Sequence, residues 1–202
     1  LPAASCITGS LLALIEGTTC YGCYALKGRY KFKNTIKAMA RRLRALSHGS
    51  WITAMVTLMA GRKYFRWHDS GDLQGAQHLK NILEVLEKDT NFIGGSITTP
   101  YKELVARWLT PERMTSEASS IGAVNCLFRN DNGRLFGTNT DGEAALFSFK
   151  SNYGDVSGKN ILLLGPGGAG KAVTAFFANA TPPKGKLFLA GRLNHVVGNN
   201  LT

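Results

Sequence analysis

The chain has 202 residues, 44% of them hydrophobic, and a net charge of +11 from 24 Lys and Arg against 13 Asp and Glu. This length fits one or two domains, and the absence of any run of about 18 apolar residues predicts that no segment spans a membrane. Residues 1–88 carry 13 basic and 5 acidic side chains, whereas residues 89–202 carry 11 and 8. The asymmetry predicts two units with different partners. A solvated helix face explains the basic first half better than nucleic-acid binding does.

Cysteines cluster at the start of the chain. Cys6, Cys20 and Cys23 form a C-x13-C-x2-C pattern, and the fourth cysteine is isolated. This is not a disulfide framework, so it favours a reducing compartment, the cytoplasm. Three thiolates at this spacing can bind zinc, with His48 or His68 as a fourth ligand, or can hold an iron–sulfur cluster with one iron open. The alternative is a set of small buried residues.

Helices and one polar loop are predicted in the first half. Segments 34–46 and 50–60 have helical patterns, and the second is more apolar and therefore expected to be more buried. "KYFRW" (63–67) predicts a strand, followed by "HDSGD" and by a helix in 73–88. Because α/β folds place their chemistry at the carboxyl ends of strands, this loop is a candidate for binding a metal, a phosphate or a partner. Its polar residues are His68, Asp69, Ser70 and Asp72; in the alternative, Ser70 or Asp72 is simply a helix N-cap.

Short strands and helices alternate in the second half. "FIGGSITTPYKELV" predicts a strand, a turn and a helix that begins near Lys102. "SSIGAVNCLF" places Asn125 in a second strand, and "GTNTDGEAALFSF" places Asp141 between a third strand and a helix. Lys102 and Asp141 form a candidate acid–base pair, expected within about 4 Å of each other. Taken singly, Asp141 can be a helix N-cap and Lys102 a surface residue.

A glycine-rich turn follows in "LLLGPGGAGKAV" (162–173). Gly165, Gly167 and Gly170 give G-x-G-x-x-G, and the same stretch contains the start of a G-x-x-x-x-G-K P-loop. A P-loop needs Ser or Thr after its Lys to help hold Mg²⁺, but Ala172 stands there, which excludes it. An apolar run before the glycines and a helical pattern after them predict a buried strand and a dinucleotide-binding turn. A tight turn that binds nothing is the alternative.

Together these motifs resemble the shikimate dehydrogenase family over about residues 91–192. "GSITTPYK", "IGAVNCL", "GTNTDG" and "LLLGPGGAG" occur in that family's order and at its approximate spacing. The resemblance implies reversible NADPH-dependent reduction of 3-dehydroshikimate to shikimate, in the chorismate pathway of aromatic amino-acid biosynthesis. It places Lys102 and Asp141 at catalytic positions, Thr98 and Asn125 at substrate-contacting positions, and Gly165, Gly167, Gly168 and Ala169 on the cofactor turn.

The strand after this turn bears on the coenzyme. "GKLFLAGR" (185–192) offers no Asp or Glu for the ribose hydroxyls of NAD, and Arg192 ends it, where a guanidinium can pair with the 2′-phosphate of NADP. NADP is therefore the predicted cofactor. The family usually has Asn-Arg-Thr here, whereas this chain has Gly191-Arg192-Leu193.

Two differences from the family predict that this chain is a fragment of a longer protein. The family's Ser-x-Ser motif for the substrate carboxylate has no identifiable counterpart, and the family continues through a second half of the nucleotide-binding fold. The first residue, Leu1, is not Met. We therefore expect marginal folding, an uncovered apolar surface, weak NADP binding and slow turnover.

Residues 1–79 resemble a different family, the uncharacterised bacteriophage gene product 88, through "CYGCYALKGRYKF" and "YFRWHDSGDLQ". The predicted fold class is thus α/β: a separate α/β cysteine-containing segment (1–88), a partial shikimate dehydrogenase-like substrate domain (89–152), and a truncated Rossmann-type dinucleotide-binding half (153–202). The predicted function is that of an oxidoreductase fragment with a small-molecule substrate. The alternatives are a phage-type protein with cysteine-bound zinc or an iron–sulfur cluster, and an inactive fusion of two unrelated fragments.

Overall fold

The computed structural model describes residues 1–181 and 185–191, and the chain divides into two units, Leu1–Phe92 and Ile93–Thr202. The first unit is described throughout and contains helices without strands. Its α-helices are α1 (Ile7–Leu12), α2 (Lys33–Ala45), α3 (Trp51–Met59) and α4 (Ala76–Lys88), with 3-10 turns at Ala3–Ser5, Tyr24–Leu26 and Gly28–Lys31.

Helix α4 supplies most of the core of the first unit. Leu79, Ile82, Leu83 and Leu86 recur at helical spacing and are all buried, so they form the apolar stripe that an amphipathic helix turns inward. Helix α3 packs against α4. As expected, a larger share of α3 than of α2 is shielded from solvent, although within α3 only Met59 is buried and Leu58 is 62% exposed.

The prediction of a strand at 63–67 was wrong, because these residues adopt no regular secondary structure. A strand needs a neighbour to accept and donate its backbone hydrogen bonds, and the first unit offers none. Its aromatic residues instead form a cluster: the Trp67 ring lies 5.0 Å from that of Phe65 and 6.3 Å from that of Trp51, centroid to centroid.

The second unit is mixed α/β. Its elements are β1 (Gly94–Ser96), α5 (Lys102–Leu109), α6 (Ser116–Ile121), β2 (Cys126–Arg129), β3 (Leu135–Thr138), α7 (Asp141–Tyr153), β4 (Ile161–Leu164), α8 (Gly168–Ala180) and β5 (Leu187–Ala190). Strands β1, β2 and β3 form an antiparallel sheet in that order, with Cys126 opposite both Ser96 and Thr138. Strands β4 and β5 pair in parallel, joined through α8.

Packing in the second unit brings its helices onto the sheets. Helix α7 lies against α8, where the rings of Phe149 and Phe177 meet edge to face at 5.7 Å. Buried apolar side chains from α5 and from the antiparallel sheet form the core; Leu109, Leu127 and Leu135 are no more than 1% exposed. Across the described ranges, no helix combines the length and apolar character needed to cross a bilayer.

Candidate functional site

The second unit places an ion pair where two helices begin. Lys102 is the first residue of α5 and Asp141 the first residue of α7. The Lys102 Nζ lies 2.5 Å from the Asp141 Oδ2, and the two side chains are only 12% and 23% exposed. The expected approach within about 4 Å is confirmed. Because the pair is largely shielded from water, its attraction is stronger than that of a surface pair.

Asn125 holds the second oxygen of the same carboxylate. It lies one residue before β2, not inside the strand. Its Nδ2 donates to Asp141 Oδ1 at 2.8 Å and to Thr140 Oγ1 at 3.0 Å, while its Oδ1 accepts from the Thr140 N–H at 3.0 Å. The Asp141 carboxylate is therefore fixed from both sides, by an ammonium and by an amide.

Asn139 is a supporting residue that the sequence reasoning did not single out. It is only 4% exposed, and its Nδ2 donates to the Ala123 carbonyl at 2.9 Å. Its Oδ1 accepts from the Asp141 N–H at 3.0 Å. The sole signal in the sequence was its place in "GTNTDG", two residues before Asp141.

Thr98 is exposed in the turn that leads into α5. Its carbonyl accepts from the Tyr101 N–H at 3.0 Å. The preceding residue, Ile97, donates its N–H to the Asn125 carbonyl at 2.7 Å. The backbone thus brings Thr98 next to the segment that carries Asn125.

The glycine turn connects β4 to α8, as predicted. Gly165 has a φ of 105°, in the region that favours glycine, and its N–H donates to the Ala190 carbonyl at 2.8 Å. A Cβ at Gly170 would lie only 1.7 Å from the Gly165 carbonyl oxygen, so the turn closes tightly only with glycine there. Gly167 precedes α8 as its N-cap, and Ala169 is exposed in the first turn of that helix. A helix start of this kind aims backbone N–H groups at an anion.

The turn and the ion pair adjoin each other. A Cβ at Gly168 would lie 3.1 Å from the Cβ of Lys102, so α8 begins directly against the lysine. One turn further, Lys171 Nζ pairs with Glu103 Oε1 at 3.0 Å, tying α8 to α5. The start of α8 and the Lys102–Asp141 ion pair are therefore adjacent in the structure.

The residue after β5, Gly191, lies close against the glycine turn. A Cβ at Gly191 would lie 2.5 Å from the Pro166 Cδ, so the proline ring of the glycine turn occupies the space of a side chain there. Arg192, the predicted partner of the 2′-phosphate, lies outside the described residues.

The polar loop of the first unit is not at a strand end, which removes the reason for expecting chemistry there. Asp69 accepts from Tyr24 at its backbone carbonyl and from Tyr30 at its carboxylate; the second hydrogen bond raises the pKa of Tyr30 to about 12. Ser70 is buried, and burial lowers the pKa of His68. Neither Ser70 nor Asp72 caps α4, because its N-cap is Gly75.

The three clustered cysteines line one cavity. Cys6, Cys20 and Cys23 are half-buried free thiols around a space of about 240 Å³, to which His68 also contributes. His48 is not part of that lining; its Nδ1 accepts from the Ser50 N–H at 3.2 Å. Within residues 1–181 and 185–191, no three His, Cys, Asp or Glu side chains are arranged to hold a single metal ion.

Comparison with known proteins distinguishes two segments. Residues 3–92 match the family model of gene product 88, and residues 64–127 match that of the shikimate dehydrogenase substrate binding domain. The chain therefore combines a part similar to gene product 88 with a part similar to shikimate dehydrogenases, and the two matches overlap at 64–92.

Curated relatives and a solved structure that the chain is similar to are shikimate dehydrogenases. The shikimate dehydrogenase (NADP(+)) of Carboxydothermus hydrogenoformans is 49% identical over 86 residues, 43% of this chain and 30% of the relative. That of Moorella thermoacetica is 40% identical over 105 residues, 52% of this chain and 34% of the relative. The crystal structure of shikimate dehydrogenase from Aquifex aeolicus matches with 32% identity and a TM-score of 0.52, covering 59% of this chain and 42% of that one. The chain thus spans about a third of the length of these curated relatives.

Proposed function

We propose that the second unit is the catalytic region of an NADP-dependent shikimate dehydrogenase, an oxidoreductase that interconverts 3-dehydroshikimate and shikimate. The observation that carries the proposal is the shielded Lys102–Asp141 pair lying directly against the first turn of α8. A dehydrogenase needs a proton donor or acceptor next to the place where its nicotinamide cofactor binds. The similarity to curated NADP-dependent relatives supports the same conclusion.

In this proposal Lys102 handles the proton at the reacting oxygen. When bound, NADPH supplies a hydride to the carbonyl carbon of the substrate. The developing negative charge on the carbonyl oxygen takes a proton from the Lys102 ammonium, and the reverse reaction returns that proton to the amine. Asp141 holds the ammonium in place through the 2.5 Å ion pair, and Asn125 holds Asp141. Thr98 and Asn125 are the proposed substrate contacts.

The glycine turn provides the cofactor contact. The close approach of Gly170 to Gly165 leaves the start of α8 compact, and the turn is open to solvent at Gly167, where a Cβ would meet no atom within 4 Å. The residues present there, Gly165, Gly167, Gly168 and Ala169, fit a pyrophosphate approached by backbone N–H groups. Arg192 is the proposed contact of the 2′-phosphate.

The test is a coupled pair of measurements on the full chain. Oxidation of NADPH with 3-dehydroshikimate should be detectable, and Lys102→Ala should reduce it by about 10²–10⁴-fold, the contribution of a positioned proton donor. The matched control is Lys150→Ala, which removes an exposed lysine that pairs with Asp155 and should leave the rate unchanged. Equal rates in wild type and Lys102→Ala would contradict the proposal.

A further inference from the structure

The first unit contains a cavity lined by three cysteines that have no role in the proposed oxidoreductase reaction. Helix α1 and the turns that follow it bring Cys6, Cys20 and Cys23 to a single space of about 240 Å³. The turns are held by local hydrogen bonds: Thr18 Oγ1 donates to the Leu12 carbonyl at 2.7 Å, and the Cys23 N–H donates to the Cys20 carbonyl at 3.2 Å. Folding thus brings Cys6 to the same cavity as Cys20 and Cys23, which follow it by 14 and 17 residues.

Gly9 makes this convergence sterically feasible. A Cβ at Gly9 would lie 2.6 Å from the Cys6 sulfur and 3.8 Å from the Cys20 sulfur. The two sulfurs therefore lie on the same side of α1, and their separation cannot exceed the sum of those two distances. Any larger residue at this position would displace the Cys6 thiol from the space that it shares with Cys20.

Two cationic side chains lie near the cavity. The Arg66 side chain lines it and donates from Nε to the His68 carbonyl at 3.0 Å. The Lys27 ammonium lies nearby, 3.5 Å from the place of a Cβ at Gly22, in the turn between Cys20 and Cys23. A cysteine-ligated iron–sulfur cluster carries net negative charge, which cations beside the cavity offset.

The absence of a three-ligand arrangement for one ion among the described residues favours a cluster. Two thiolates on a tetrahedral zinc, each about 2.3 Å from the metal, lie about 3.8 Å apart. In the described part of the chain no three potential ligands meet the requirement for a shared ion. An iron–sulfur cluster binds each cysteine at a separate iron atom, so its cysteines line a shared cavity without meeting at one ion.

We propose that Cys6, Cys20 and Cys23 bind a four-iron, four-sulfide cluster, one iron of which has no cysteine ligand. Such an iron is free to bind a small molecule with an oxygen or nitrogen donor. Binding can proceed by ligand exchange, in which each cysteine thiol transfers its proton to a departing small thiolate. The iron, sulfide and charge of the cluster are unchanged by that exchange.

The test uses a preformed synthetic four-iron, four-sulfide cluster with small thiolate ligands, mixed anaerobically with the purified full chain and then removed by gel filtration. We expect about four iron and four sulfide per chain, with visible charge-transfer absorption. Cys6→Ser, Cys20→Ser and Cys23→Ser should each reduce the bound iron at least severalfold. Cys126→Ser, which changes the cysteine in β2, is the matched control and should retain it.

A second pair of variants keeps all the cysteines. Gly9→Ala should lower the retained iron because its Cβ overlaps the Cys6 sulfur, whereas Gly49→Ala, where a Cβ meets nothing within 4 Å, should not. Circular dichroism checks that each variant is folded. Folded wild-type chain that retains no iron, iron that persists when all three cysteines are replaced, or one tightly held zinc ion per chain in place of iron would each overturn the proposal.

Discussion

Asn139 joins two chain segments at the ion pair, because its amide binds the Ala123 carbonyl on one side and the Asp141 N–H on the other. Its removal leaves both backbone groups without this partner in a buried place. Asn139→Ala should therefore destabilise the second unit by about 1–3 kcal/mol. Urea unfolding measures the change. Asn152→Ala is the control: that amide donates to the Ser148 carbonyl on an exposed helix surface and should cost much less. A loss no larger than that of the control would show that Asn139 does not hold Asp141.

At the residue scale, the sequence predicted the acid–base pair but not its support. Lys102 and Asp141 were identifiable because each follows a short apolar run and precedes a helical pattern. The partner of Asn139 is a backbone carbonyl 16 residues away, and a backbone carbonyl has no signature in the sequence. Its proximity depends on the pairing of β2 with β3. The cofactor, substrate and metal roles of the predicted residues stay predictions.

At the scale of an element, two glycines of the glycine turn are predicted to have different roles: Gly170 in folding and Gly167 in cofactor binding. Gly170→Ala places a Cβ 1.7 Å from the Gly165 carbonyl oxygen, so it should displace the start of α8 and destabilise the second unit by about 1–3 kcal/mol. Gly167→Ala has open space and an extended backbone, with a φ of −71° and a ψ of −178°. It should leave stability unchanged but weaken NADP binding, because its Cβ stands where the pyrophosphate approaches.

Thermal unfolding and calorimetric titration with NADP⁺ measure these two effects. If both variants bind NADP⁺ as wild type does, the turn is not the cofactor site. If Gly167→Ala unfolds as readily as Gly170→Ala, the stated difference between the two glycines is wrong.

The parallel pair of β4 and β5 has an exposed apolar face; the apolar run before the glycines predicted a buried strand, whereas the departures from the family predicted an uncovered apolar surface. Leu162, Leu164 and Phe188 are 61%, 78% and 52% exposed. Leu163 points the other way along β4, as alternation requires, and is half-buried. The apolar run in the sequence identified the strand, but such a run does not show whether both faces of the strand are covered.

Exposed leucine side chains of this kind bind hydrophobic dyes and promote association. Leu164→Lys should therefore lower dye fluorescence and self-association with little change in stability. The neighbouring change Leu163→Lys should cost about 0.5–3 kcal/mol, because it places a charge on the covered face. Dye binding, light scattering and urea unfolding of the two variants compare the faces; an unchanged dye signal in Leu164→Lys would contradict the exposure of this face.

At the scale of the whole molecule, one buried histidine makes the stability of the first unit depend on pH. In the first unit His78 lies on α4, accepts from the Gln74 N–H at 3.2 Å, and contacts the Trp51 ring. Burial, with a smaller contribution from His68, lowers its pKa from 6.5 to about 4. Because the folded pKa lies below the unfolded one, this unit gains stability above about pH 6.5 and loses it as the pH falls toward 4.

The pH dependence is measurable by tryptophan fluorescence. In a Trp108→Phe background, Trp51 and Trp67 remain, and both belong to the first unit. Urea midpoints should fall between pH 6.5 and 4, and His78→Gln should flatten that fall. His48→Gln, at an exposed histidine of the same unit, should not. A fall of equal size in His78→Gln would assign the effect to another group.

The prediction of two units rested on charge and on motifs, and the structure divides the chain after Phe92. The all-helical character of the first unit was not predictable, because "KYFRW" has the aromatic composition of a strand without any segment to pair with it. Whether a strand forms depends on a partner elsewhere in the chain. Local composition does not contain that information.

The contact between Pro166 and Gly191 has a consequence for sequence evolution. The proline ring fills the space that a side chain at 191 would occupy, so position 191 cannot gain a side chain while Pro166 stays as it is. Homologues with asparagine at position 191 should therefore carry a residue without a ring at position 166. Homologues with proline at position 166 should carry glycine at position 191. An alignment of homologous sequences would therefore show covariation between positions 166 and 191.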